Sequence, residues 1–228
     1  MSVVNNSRGF TLVELLIAMV ILGVVLTGVV RMFSATGHHH AAQEMMVDLA
    51  QDLRAVKQLM VYELRTAGCD PLLKRTFGFQ VDANDRYDTD DNSFHFTADT
   101  DNGDGDGLLE PDGDANDPRE DISYYRTNDD CEGAVGGVMA SGTTTPGCLR
   151  RDVGAGGQPL MAGVTGFRLR YYDINGTELT GADLATLGKL EKIDTVRVII
   201  NAQVEEPTKV SADAQEQQLD FRVLIRNG

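Results

Sequence analysis

Residues Phe10 to Phe33 form an apolar run of about 24 residues, broken near its start by the carboxylate of Glu14. A helix rising 1.5 Å per residue needs about 20 such residues to cross a bilayer core, so this run can span one. An acid inside a membrane helix costs roughly 2.5–3.5 kcal/mol even on lenient insertion scales, so Glu14 calls for a partner. A secretory signal is the competing reading. Its apolar core usually covers about 7–15 residues and ends at an A-x-A-like site, which is missing here. Residues Met1 to Gly9 read as a short polar leader ending in Arg8-Gly9. Arg8 would keep the N-terminal side cytoplasmic and place the rest of the chain outside.

The stretch Gly9-Phe10-Thr11-Leu12-Val13-Glu14, followed by the apolar run, resembles the processing and methylation signature of type IV prepilins and type II secretion pseudopilins. The resemblance implies that a membrane prepilin peptidase and methyltransferase cuts between Gly9 and Phe10 and methylates the new amino group of Phe10. It also gives Glu14 a role in assembly, neutralising the N-terminal ammonium of a neighbouring subunit. A buried carboxylate is tolerable when paired in this way. An acid that snorkels to the headgroups of an ordinary signal anchor is the alternative. The partners implied are other minor and major pilins through the N-terminal helix, and the inner membrane before assembly. The chain then divides into leader 1–9, transmembrane or filament-core helix 10–33, an amphipathic half of the same helix at 34–68, and a β-rich globular domain at 69–228.

Within the amphipathic half, Met46, Leu49, Leu53, Val56, Met60 and Leu64 recur at three- and four-residue spacing, which predicts one apolar face packed under a sheet. Gly68 and then Pro71 supply a stop. Gly23 and Gly28 are candidates for bending or local melting, or else for close helix contacts. Consecutive helical residues point about 100° apart, so His38, His39 and His40 cannot converge on one metal ion and read as a solvated juncture.

Beyond Pro71 the pattern becomes extended. Segments beginning at Phe77, Ser93, Ile122, Gly166, Thr195 and Leu219 read as strands with partial period-2 alternation. The expected fold class is α+β and pilin-like, with a long N-terminal helix packed on an antiparallel β-sheet. The segments TGFRLRYYDING and FRVLIRNG resemble the C-terminal strands of PilW-like minor pilins and J-type minor pseudopilins. The tip-capping pseudopilin of that family usually lacks the membrane glutamate, so the presence of Glu14 disfavours that member.

The formal charge of −15 and the absence of a basic patch exclude nucleic acid as a partner, because phosphate binding needs Lys/Arg clusters. Between Asp82 and Glu132 there are 18 acids against three arginines, while the rest of the chain carries 17 of each sign. All of the excess therefore lies in one insertion, 82–132. Inside it Asn102, Asp104 and Asp106 alternate, with Gly107, Leu109 and Glu110 following, which matches the start of an EF-hand-like calcium loop. The motif is incomplete: position 12 falls on Gly113, and Asp112 or Asp114 would have to substitute for the usual acid. Calcium is the expected ion, since hard oxygen ligands select it over softer metals. A second ion on Asp112, Asp114, Asn116 and Glu120 is a weaker reading, and a solvated acidic loop is the alternative to both.

Cys131 and Cys148 flank a Gly/Thr-rich stretch, and an extracytoplasmic domain permits a disulfide between them worth about 3 kcal/mol in the loop-entropy model. Cys69 is left over as a buried thiol, and the sequence leaves other pairings open. No catalytic constellation is visible, so the chain is read as no enzyme. The expected function is that of a minor type IV pilin in initiation or tip assembly, with a J-like minor pseudopilin as the alternative. A membrane-anchored calcium-dependent hydrolase is the distant third.

Overall fold

The computed structural model describes residues 11–74, 76–81, 88–102, 110–117, 119–140, 142–204 and 216–225, with the backbone alone for 35–42. One helix, α1 (Leu12–Leu64, 53 residues), dominates it. It runs unbroken through Gly23, Gly28 and the backbone of the three histidines, so the local melting considered at the glycines is absent. A Cβ at Gly23 or Gly28 would meet no atom within 4 Å, so neither glycine answers a contact within a single chain. The His38–His40 side chains lie outside the described residues.

The two halves of α1 face different surroundings. From Leu12 to Ser34 the mean hydropathy is 2.7 and nothing is buried, a segment long and apolar enough to cross a membrane. From Leu49 onward the predicted stripe of Leu49, Leu53, Val56, Met60 and Leu64 is buried, together with Ala67. The helix ends at Leu64 with Arg65 as its C-cap, short of the expected stop at Gly68; a turn carries the chain on to Gly68, whose φ of 72° glycine adopts without a Cβ penalty and whose amide donates to the Thr97 carbonyl at 3.0 Å.

The strands are β1 (Gly78–Phe79), β2 (Ser93–Thr97), β3 (Asp121–Thr127), β4 (Gly147–Asp152), β5 (Gln158–Tyr172), β6 (Glu178–Leu179), β7 (Thr195–Gln203) and β8 (Glu216–Leu224). All pairings are antiparallel, in the order β1-β2-β3-β4-β5-β7-β8, with β6 paired to the end of β5. A short helix, α2 (Leu187–Leu190), lies between β6 and β7. Strict alternation in β7 sends Val196, Val198, Ile200 and Ala202 into the core beside Phe221 and Val223 of β8. That face and the amphipathic stripe of α1 bury each other.

Three features differ from the sequence pattern. Strand β4 reads GCLRRD, too polar to announce a strand, yet five of its six residues are buried. Strand β5 begins eight residues before the expected Gly166. At its bulge, Gly163 has φ 71°, and a Cβ there would lie 2.4 Å from the Gln203 carbonyl oxygen.

A polar clamp joins helix to sheet. Glu63, on the last turn of α1, is only 5% exposed. It accepts from Arg151 of β4 at 3.0 Å (Nε) and 2.5 Å (Nη2), and from the Tyr124 hydroxyl of β3. Burial first, and the neighbouring Glu63 charge second, push the Tyr124 phenol well above its ordinary range, so it remains a donor.

Candidate functional site: the N-terminal helix and the acidic insertion

The helix begins with a capping box. Thr11, in extended conformation at the N-cap, accepts from the Glu14 amide at 3.3 Å through its hydroxyl oxygen. The Glu14 carboxylate in turn accepts from the Thr11 amide at 2.9 Å and its hydroxyl at 3.1 Å. The spacing Thr-x-x-Glu carries this signal, and reading Glu14 only as an assembly acid missed it. The acid therefore has a local partner in the single chain, at the helix end where backbone donors and the dipole favour negative charge. Gly9 and Phe10 lie outside the described residues.

A family model, the prokaryotic N-terminal methylation motif, matches residues 4–30, which spans the leader, Glu14 and the start of the apolar helix. The motif is the one carried by the N-termini of type IV prepilins and pseudopilins. No curated protein and no solved structure matches the chain. For a prepilin, the motif implies processing by the prepilin peptidase and assembly with other pilins, and the exposed apolar helix fits anchoring in a membrane. The antiparallel sheet behind that helix is consistent with a pilin-like α+β fold, and such a chain is structural rather than enzymatic.

The segment 82–132, read from its charge as one insertion, is not a single excursion: it contains β2 and β3, and its most acidic part is the connection between those two strands. Asp104 and Asp106 lie outside the described residues; Asn102 and Glu110 flank that gap, and Asn102 Nδ2 donates to Glu110 Oε2 at 3.2 Å. Asp112, Asp114 and Asp117 each bring one carboxylate oxygen within 4.8 Å of the others. Asp117 had not been singled out by the calcium-loop motif, although Asp112-x-Asp114-x-x-Asp117 is legible as a spacing. Partial burial, and then the charges of Asp112, Asp114, Asp101 and Asp99, raise the Asp117 carboxyl above the ordinary aspartate range. Burial is also the largest influence on Glu120, whose carboxyl is raised although the Thr100 and Asp101 amides donate to it.

Cys131 and Cys148 form a disulfide, with Cα atoms 5.0 Å apart, and Cys69 is a free, half-buried thiol. Beside the disulfide, Arg150 is 2% exposed and donates to Asp129 at 2.6 Å and to the Gly157 carbonyl at 2.9 Å. Burial alone would raise the Asp129 carboxyl, but hydrogen bonds from Arg150, Thr127 and the Gly136 and Cys131 amides hold it well below the usual range.

Proposed function

We propose that this chain is a minor type IV pilin, PilW-like, that takes part in initiating or capping a filament. The observation that carries the reading is a single helix with a capped acid at the start of a bare apolar half and a second half packed under an antiparallel sheet. Exposed apolar surface of that extent needs lipid or other helices to cover it, and a filament core of like helices supplies the second. The long acidic insertion favours a minor role, since a charge excess of that size would repel itself if repeated along a whole fibre. In this reading the insertion takes up calcium, which neutralises its carboxylates.

A J-type minor pseudopilin of a type II secretion system is the second reading, resting on the same segments, which fall in the second half of β5 with the turn after it and in the end of β8. The test is incorporation. Glu14→Ala keeps the apolar helix, so membrane insertion should persist or improve while recovery in sheared filaments falls. Unchanged recovery would mean that Glu14 has no role in assembly. Co-purification with secretion-system pseudopilins instead of pilus subunits would move the chain to the second reading.

A further inference from the structure

Where β2 and β3 part, the last rung of the hairpin is the Ala98 amide donating to the Glu120 carbonyl at 2.8 Å. The two carboxylates at this neck, Asp99 and Glu120, are both fully buried. Each engages one oxygen with backbone amides: Asp99 Oδ1 accepts from Asp112 at 3.1 Å, and Glu120 Oε1 accepts from Thr100 at 2.5 Å and Asp101 at 2.8 Å. The second oxygen of each, Asp99 Oδ2 and Glu120 Oε2, is buried without a hydrogen-bond partner among the described residues. Buried carboxylate oxygens are costly unless something positive meets them.

Both residues adjoin the three-carboxylate rim. Asp99 reaches it through the Asp112 amide, and the Glu120 amide donates to the Asp117 carbonyl at 3.2 Å. Asp112 and Asp114 are shaped for this place by their own turns, each accepting from the amide two residues on, at 3.0 and 2.9 Å. Lys74 offers one monovalent charge nearby: its Nζ lies so close over Gly113 that a Cβ there would meet it at 2.3 Å. One ammonium against five carboxylates leaves a large excess.

We propose that Asp112, Asp114 and Asp117, backed by Asp99 and Glu120, form a site for a single calcium ion at the neck of the β2–β3 excursion. The proposal rests on the reading of the insertion as calcium-binding; it sets aside the 102–110 motif and sharpens the weaker reading of Asp112, Asp114, Asn116 and Glu120 by replacing Asn116 with Asp117 and adding Asp99. Calcium accepts six to eight oxygens in flexible geometry, whereas magnesium demands near-ideal octahedral placement, so an irregular carboxylate set completed by carbonyls and water suits calcium. The neck is also where helix meets sheet: Asp99 donates its amide to the Cys69 carbonyl at 2.8 Å, just beyond the helix stop. An ion bound here therefore fixes the hairpin neck against the end of the long helix.

The test is a calorimetric titration of the full chain in detergent micelles, stripped with chelator, using calcium chloride and then magnesium chloride. The wild type should bind about one calcium per chain with a dissociation constant below about 1 mM. The rim variant Asp112→Asn/Asp114→Asn/Asp117→Asn and the floor variant Asp99→Asn/Glu120→Gln should each bind about tenfold more weakly or worse. Asp104→Asn/Asp106→Asn should bind like the wild type, and magnesium should bind less tightly than calcium. Should the floor variant lose its circular-dichroism fold signal, the rim variant, at exposed and half-exposed positions, decides alone. Loss of binding in Asp104→Asn/Asp106→Asn with retention in the rim variant would overturn this assignment while leaving the calcium reading intact. No saturable calcium binding by the wild type would overturn both.

Discussion

Removing the acid of the Glu63 clamp tests whether the long helix is held to the sheet by a specific buried contact or only by apolar packing. Arg151 and Glu63 are 12% and 6% exposed at the side chain, so the pair is close to fully desolvated. Breaking a buried pair by deleting one partner costs about 3–5 kcal/mol, because the other charge is left uncompensated. Some water still reaches Arg151, which places Glu63→Met near the lower end, about 3 kcal/mol. Arg151→Met strands the carboxylate with only the Tyr124 hydroxyl, and a similar loss is expected. The double variant removes both charges and fills the space with apolar side chains, an exchange that is often neutral or stabilising. Its loss should therefore be smaller than either single loss, so that it falls below their sum by about 3 kcal/mol or more.

The assay is unfolding of the full chain in micelles followed by near-ultraviolet circular dichroism of its tyrosines, since the chain has no tryptophan. For a domain of this size about 1 kcal/mol corresponds to roughly 2–4 °C, so each single variant should melt about 6–12 °C below the wild type. Additive losses in the double variant, or single losses below about 0.5 kcal/mol, would refute the clamp and leave the interface to Leu53, Val56, Met60 and Leu64 alone.

Gly9→Ala adds a Cβ at the cleavage site implied by the methylation motif, so intact mass should show residues 1–9 retained on most of the protein. Gly163→Ala should destabilise the domain by about 1–3 kcal/mol, because it combines a left-handed φ with a clash against the Gln203 carbonyl. Asp129 has a depressed carboxyl pKa in the folded chain. Its contribution is thus present above the unfolded aspartate value of about 3.9 and lost as pH falls through the folded value. Chemical denaturation followed downward from about pH 5 should show this acid loss, and Asp129→Asn should flatten it.

Helix and sheet were legible in the sequence to different depths. The apolar run and the Leu49–Leu64 stripe are periodic signals that survive folding unchanged, because one is exposed along its whole length and the other is buried on one face. Strand β7 was legible for the same reason, since its alternation matches a half-buried pleat. Strand β4 was not: it is held by partners distant in sequence, with Arg150 on Asp129 and Arg151 on Glu63. Buried arginine reads as surface until its carboxylate is in view. The acidic neck was half legible. The spacing of acids points to 102–110 and, more weakly, to Asp112, Asp114, Asn116 and Glu120, but Asp99 joins the neck through the β2–β3 register, with Thr97 opposite Asp121, and no local pattern encodes that pairing.

Two glutamates of α1, Glu14 and Glu63, do opposite work at opposite ends of one element. Glu14 lies in the exposed apolar half, held among the described residues by the Thr11 capping box, whose bonds are local and can be exchanged for those of a positive group. Glu63 is buried and tied to Arg151, 88 residues away in sequence, so its bonds cannot be exchanged without loosening the helix from the sheet. Residues 14 and 63 stand 49 positions apart on one continuous helix, about 74 Å at 1.5 Å per residue. An unbroken helix carries a displacement at one end to the other without a hinge to absorb it. Under the proposed assembly role, a partner taken up by Glu14 in a filament would set the height of the sheet, provided that the Glu63 clamp holds. Loss of the clamp should uncouple domain position from helix position even where Glu14 is intact.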